Sequence, residues 1–386
     1  MRLDTRRATR RDAAHTAMLN VALRIASVGC AITAIAATAT GCGSASKVGP
    51  SASKRAHDGP LVYEISTEPQ RPATATQLAE RLPDGTTRRL PRLPGGARHP
   101  AWSPDRTRIA FVRGLANAAY EINRVLTGRQ LPRARTEIDT ADAAGRDVRR
   151  LVSDCPATPG CLFDALPAWA PDGRISFLRF YGPVHSVRQP YEHQQYASRV
   201  ELLTIPASGG RPATIRRWDA DLQPWDGAPR WSPDGRHIVV ALGSFAHPNK
   251  HSMLATALFV LDAAGGAARR ITPWDLGAGY PDWSPDGSQI AFASEGGHSP
   301  SLYVVRADGT RLRKLVQGDT RSSVGALQQP AWSPDGGRIA FAAQPRPTSS
   351  YRISQLDLFT VNSDGSQLRR VTTTDAYESA PAWGPN

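Results

Sequence analysis

Trp102-Ser103-Pro104-Asp105 is written into this chain six times. It returns as Trp169-Ala170-Pro171-Asp172-Gly173, Trp231-Ser232-Pro233-Asp234-Gly235, Trp283-Ser284-Pro285-Asp286-Gly287 and Trp332-Ser333-Pro334-Asp335-Gly336. It ends truncated as Trp383-Gly384-Pro385-Asn386. The tryptophans lie 67, 62, 52, 49 and 51 residues apart. A recurrence near 50 residues points to a propeller or a solenoid, in which one supersecondary unit is stacked on copies of itself. Ser-Pro-Asp-Gly fits a type I turn, with Ser at the first corner, Pro presetting φ at the second and Gly at the fourth. Arg106 replaces the Gly in the first copy and Ala170 replaces the Ser in the second. An alternating apolar strand follows each turn, as in Arg108–Val112, Ile290–Ala293 and Ile339–Ala342. Each copy therefore reads as a hairpin plugged by a Trp.

A second hairpin follows the first. Ser301–Gly309 leads into Leu312–Leu315, Leu258–Asp262 into Arg269–Thr272, and Leu358–Gly365 into Leu368–Thr372. The turns are Asp-Gly or Gly-Gly. Two hairpins give four strands, the content of a propeller blade.

The motif Pro-x-Trp-Ser-Pro-Asp-Gly-x-x-Ile-Ala-Phe, then Leu-Tyr-Val-x-x-x-Asp-Gly and a basic Arg-x-Leu-Thr strand, resembles the TolB-type, WD-like (PD40) propeller repeat over residues 60–386. The resemblance implies an all-β, six-bladed propeller of four-stranded antiparallel blades. It leaves function open, because the repeat serves unrelated tasks. Residues 61–65, 77–81 and 84–90 supply strands two, three and four of a blade without its first strand. Residues 380–386 supply a first strand and stop, so the last blade is expected to be shared between the two ends of the chain.

Residues 1–41 read as a lipoprotein-type signal peptide. Arg2, Arg6, Arg7, Arg10, Arg11 and Arg24 precede a 16-residue apolar run from Ile25 to Thr40, short for a membrane span. Ala39-Thr40-Gly41-Cys42 resembles a lipobox, which makes Cys42 the expected lipid attachment site. Cys30 is the rival. Residues 42–59 read as a flexible tether to the propeller at 60–386. The chain carries a net charge of +13, and removing residues 1–41 leaves +9. The basic pairs Arg88-Arg89, Arg149-Arg150, Arg216-Arg217, Arg269-Arg270 and Arg369-Arg370 recur on fourth strands, where charge blocks edge-to-edge pairing. Nucleic-acid binding would want these charges clustered on one face, so no nucleic acid is expected. Cys155 and Cys161, a close pair in an exported chain, are expected to form a disulfide.

Long insertions follow the second strand of each blade and share one face, where a rigid scaffold concentrates binding. Tyr and Arg anchor partners most often. Candidate partner-binding residues are Tyr181, Arg188, Tyr191, Tyr196, Lys250, Tyr351 and Arg352. The chain shows no Gly-x-Ser-x-Gly elbow, and the hydrolase domain of prolyl-peptidase relatives of the repeat is not expected. No catalytic residue and no cofactor are assigned. Some propeller lyases of this repeat type use a His/Gln metal cluster, for which His185, His193, Gln194 and His298 are the weak candidates. The resulting expectation is a monomeric binding or scaffold lipoprotein, lipid-anchored on the extracytoplasmic side of a bacterial membrane. Its partner would be an envelope protein or polymer, and a metal-dependent lyase is the alternative.

Overall fold

A computed structural model describes residues 59–66, 76–91, 97–114, 136–188, 193–225, 227–244, 255–294, 300–318, 327–345 and 355–384. All of them belong to one compact unit, residues 55–386. The Ser-Pro-Asp-Gly expectation is met down to single hydrogen bonds. In four copies the buried Ser hydroxyl donates to the Asp carboxylate and accepts the amide five residues on, as in Ser284 to Asp286 at 2.5 Å and Gln289 N to Ser284 Oγ at 2.9 Å. These bonds hold the Asp carboxyls below their ordinary pKa. The turn's fourth residue has positive φ, 70° at Gly235, Gly287 and Gly336. Arg106 takes φ 55° in the first copy and uses its guanidinium to donate to Gly384 O at 2.7 Å.

The strands so nucleated form six antiparallel sheets. β1 (Leu61–Ser66), β2 (Thr76–Arg81) and β3 (Thr87–Arg89) come first. Blade 1 is β4 (Arg98–Trp102), β5 (Arg108–Gly114), β6 (Thr136–Asp142) and β7 (Arg149–Val152). Blade 2 is β8 (Cys161–Trp169), β9 (Arg174–Arg188), β10 (His193–Pro206) and β11 (Ala213–Asp219). In blade 3 the first strand is split into β12 (Leu222–Pro224) and β13 (Arg230–Trp231), followed by β14 (His237–Ser244), β15 (Ala255–Asp262) and β16 (Ala268–Arg270). Blade 4 is β17 (Ala278–Trp283), β18 (Gln289–Ser294), β19 (Ser301–Arg306) and β20 (Arg313–Gln317). Blade 5 is β21 (Leu327–Trp332), β22 (Arg338–Ala343), β23 (Asp357–Asn362) and β24 (Arg369–Arg370). Finally β25 (Tyr377–Trp383) pairs with β1, giving the order β25-β1-β2-β3. The shared sixth blade is therefore present. Each first strand touches the first strand of the next blade, and the ring closes where β25 meets β4.

The core lies between blades, where Phe111, Phe177, Phe292 and Phe341 are fully buried. The basic pairs sit on the outermost strands, as expected, but two of them also hold the ring together. From these pairs Arg216 donates to Gly266 O and Arg269 to Ala307 O and Asp308 O, and outside them Arg313 donates to Ser363 O and Asp364 O, each in the turn of the following blade.

Candidate functional site

Every first strand carries x-Pro-x-Trp, and the residue before the Pro is where the ladder breaks register. His99, Leu166, Tyr280, Gln329 and Ala380 take φ between 49° and 57°, and one extra residue bulges there against the second strand. In blade 3 the positive φ falls on Gly227 instead, at 110°. A Cβ there would stand 2.8 Å from Tyr280 Cα, so only glycine fits between these first strands. Bulges re-aim side chains and recur beside functional sites. Here five blades hold a different residue at the same point of the first strand in one backbone geometry.

The bulge amides are latched from the preceding blade. His99 N donates to Glu64 Oε1 at 2.5 Å, and Ala380 N donates to Gln329 Oε1 at 2.7 Å. Trp332 N donates to Asp282 Oδ2 at 2.7 Å. A lower ring is made by the tryptophans. Trp102, Trp169, Trp283 and Trp383 each donate Nε1 to the carbonyl of the residue preceding the previous blade's Trp, namely Ala382, Ala101, Arg230 and Ala331. Trp231 reaches the same point through a hydroxyl: its Nε1 donates to Ser176 Oγ, which donates to Ala168 O. Trp332 Nε1 is buried without a partner among the described residues.

A polar cluster interrupts the small residues of this ring. Arg98 is 6% exposed and its Nε has no hydrogen-bond partner, nor has His99 Nδ1. Burial lowers the pKa of His99, opposed by Glu64 and reinforced by Arg98 and Arg230, so the imidazole is neutral at neutral pH. Arg98 precedes His99 on β4 of blade 1, whereas Arg230 belongs to blade 3, which does not adjoin blade 1, so Arg230 acts on His99 across the axis. Arg230 Nε lies 3.8 Å from Asp282 Oδ1, an ion pair too long for a hydrogen bond. Protein surrounds Asp282, and burial pushes its carboxyl up to about 6, opposed by Arg230 and by the Trp332 and Trp283 amides. Yet Arg230 and Asp282 keep 30% and 23% of their side chains open to solvent. That combination of enclosure and wetting describes the wall of a channel. Tyr377 completes the cluster, its hydroxyl accepting from Gln328 Nε2 at 3.2 Å.

None of these residues was among the sequence candidates. The signal that could have found them is the two variable positions of x-Pro-x-Trp, where single copies hold His99, Arg230 and Asp282 while others hold Ala. The sequence candidates fall elsewhere. Tyr181 is a correction: it was expected in an exposed loop, but it lies in β9 at 6% exposure. Its hydroxyl donates to Glu201 at 3.0 Å and Arg199 covers its ring at 4.0 Å. The whole stretch from Tyr181 to Ser198, expected as an insertion loop, prolongs β9 to Arg188 and starts β10 at His193. In that register His185 faces Tyr196, Gln194 faces Val187 and His193 faces Arg188. Tyr191, Lys250, Tyr351, Arg352, His298 and Cys42 lie outside the described residues.

The Cys155–Cys161 disulfide is formed, with Cα atoms 5.4 Å apart, in the connection from β7 to β8. Beside it Arg179 joins buried Asp164 at 2.7 Å to Asp154 at 2.5 Å. Among the described residues the one group placed to hold a metal is Cys155, Cys161 and Asp164, and its sulfurs are spent in the disulfide. No described helix is long and apolar enough to cross a membrane.

Comparison with known proteins agrees with this architecture. Residues 211–343 match the family model of the TolB beta propeller domain, PD40. The uncharacterized peptidase YuxL of Bacillus subtilis is 30% identical over 137 residues, 35% of this chain and 18% of that protein. The Tol-Pal system protein TolB of Francisella tularensis is 27% identical over 132 residues, 33% of this chain and 27% of that protein. The chain thus spans less than a third of the length of these curated relatives. TolB from Acinetobacter baumannii superposes with a TM-score of 0.58 at 18% identity, over 85% of this chain and 67% of that one. Kuenenia stuttgartiensis hydrazine synthase superposes with 0.60 at 13% identity, over 84% and 46%. In fold the chain is a six-bladed propeller similar to TolB, with the PD40 match confined to residues 211–343.

Proposed function

We propose that this TolB-like propeller is a binding module of the bacterial envelope, exported and lipid-anchored through Cys42, which engages a protein partner at one end of its channel. The observation that carries the reading is the inequality of the two ends. At one end the described connections are short glycine-bearing turns, of which the Ser-Pro-Asp-Gly and Asp-Gly ones spend their polar groups on themselves. The other end gathers all the long second-to-third strand connections and the fourth-to-first connection stapled by the disulfide. Arg188 ends β9 and Tyr196 lies near the start of β10 at that end, and Tyr191, Lys250, Tyr351 and Arg352, outside the described residues, are proposed to join them. The kinship to TolB proteins supports a partner of the envelope. The experiment is a pulldown from the envelope fraction with residues 60–386, beside fractionation of Cys42→Ala in cells. A captured envelope protein and release of the variant from the membrane are expected. Unchanged membrane fractionation with Cys30 intact contradicts the anchor.

A further inference from the structure

We infer that the channel wall formed by Arg98, His99 and Arg230 is a binding site for a carboxylate group. The reading deepens the proposal above, since it rests on the channel as the working end. It requires no lipid anchor and no particular partner. The hydrogen bonds of this wall are incompletely made among the described residues. Glu64 Oε1 is taken by the His99 amide and Asp282 Oδ2 by the Trp332 amide. Arg98 Nε is left without a partner, and Arg230 stands 3.8 Å from its nearest carboxylate oxygen. Leaving a charged donor unmet in a buried place is costly, and a ligand oxygen would remove that cost. Guanidinium groups from blades 1 and 3, one blade apart in the ring, offer separate donors to the two oxygens of a planar carboxylate. The class of anion follows from the surroundings. Glu64 and Asp282 flank the arginines, so a dianion such as phosphate meets repulsion that a single carboxylate meets less. Solvent reaches Arg230 and Asp282, so a ligand carboxylate has a path. His99, neutral and with Nδ1 free of partners, adds a group that can donate to the bound oxygen or accept from a neighbouring hydroxyl.

The test is calorimetric titration of the propeller, in a buffer free of carboxylates and at fixed ionic strength. The probes are acetate, succinate and a blocked peptide carrying one Glu side chain, with inorganic phosphate as the comparison anion. Saturable binding of acetate or succinate assigns a free small carboxylate. Binding of the peptide alone assigns the side chain of a partner. Either outcome supports the site. Arg230→Gln and Arg98→Gln are expected to weaken binding about tenfold or more. Asp282→Asn, which removes a repelling charge but keeps an acceptor for the Trp332 amide, is expected to tighten it. A purely structural role for these side chains would not produce that tightening. Arg230, the more exposed arginine, keeps the test decisive if Arg98→Gln does not fold. Absence of carboxylate binding, binding to phosphate alone, or equal binding by folded Arg230→Gln overturns the inference. A failed pulldown with intact carboxylate binding would instead count against the protein partner.

Discussion

Ser284 and Ala170 occupy the same corner of the repeat and show what the hydroxyl is for. Ser284 bridges Asp286 and the Gln289 amide, five residues on. The turn at Ala170 is one residue shorter, closing by Ala170 N to Arg174 O, so no amide at that distance waits for a hydroxyl. Ser284→Ala should therefore cost about 1–2 kcal/mol in urea unfolding, while Ala170→Ser should leave stability unchanged. The turn was readable from sequence because its residues act locally. The channel wall was not, because His99, Arg230 and Asp282 acquire meaning only when blades 1, 3 and 4 close around one axis. Asp282 gives that wall a pH dependence. Its folded carboxyl titrates at about 6, above the ordinary value near 3.9. The protonated form thus favours the fold. This stabilisation is full below the unfolded pKa and is lost as pH rises through about 6. Wild type relative to Asp282→Asn should gain about 1 kcal/mol between pH 7.5 and 5. An unchanged difference at the two pH values would contradict the burial argument.

Among the strands, the tryptophan ladder is the element that joins blade to blade. Its existence was implied by the repeat spacing; its hydrogen bonds were not, since the acceptor of each Nε1 lies some fifty or more residues away in sequence. The Trp383 indole donates to Ala331 O, whereas Trp332 Nε1 finds no acceptor among the described residues. Replacing either by Phe removes similar apolar area, so the difference between the two variants isolates the hydrogen bond. Trp383→Phe should be the more destabilising, by about 1 kcal/mol, in thermal or urea unfolding. Equal losses would mean that the ladder holds by packing alone. The blade 2 hairpin shows the opposite limit of sequence reading. Residues 181–198 are rich in Tyr, His and Gln and resemble a binding loop in composition, yet β9 and β10 run on through them. Strand pairing continues wherever alternate residues can cross-pair, and composition does not mark the point where it stops.

For the whole molecule, six blades, a closure shared between β25 and β1, and basic outer strands all followed from the repeat and its two incomplete ends. The proposed working end rests on the inequality of the two ends: short turns whose polar groups are spent at one, the longer connections at the other. The most direct measurement of this claim is partner affinity across a face-resolved set of variants, each checked for intact fold. Tyr196→Ala, Lys250→Glu and Arg352→Glu at the long-connection end should each weaken binding of the captured partner. Arg236→Glu and Arg311→Glu, exposed at the short-turn end, should leave it unchanged. Loss of binding from the Arg236 and Arg311 variants alone would place the working surface on the opposite face and contradict the account.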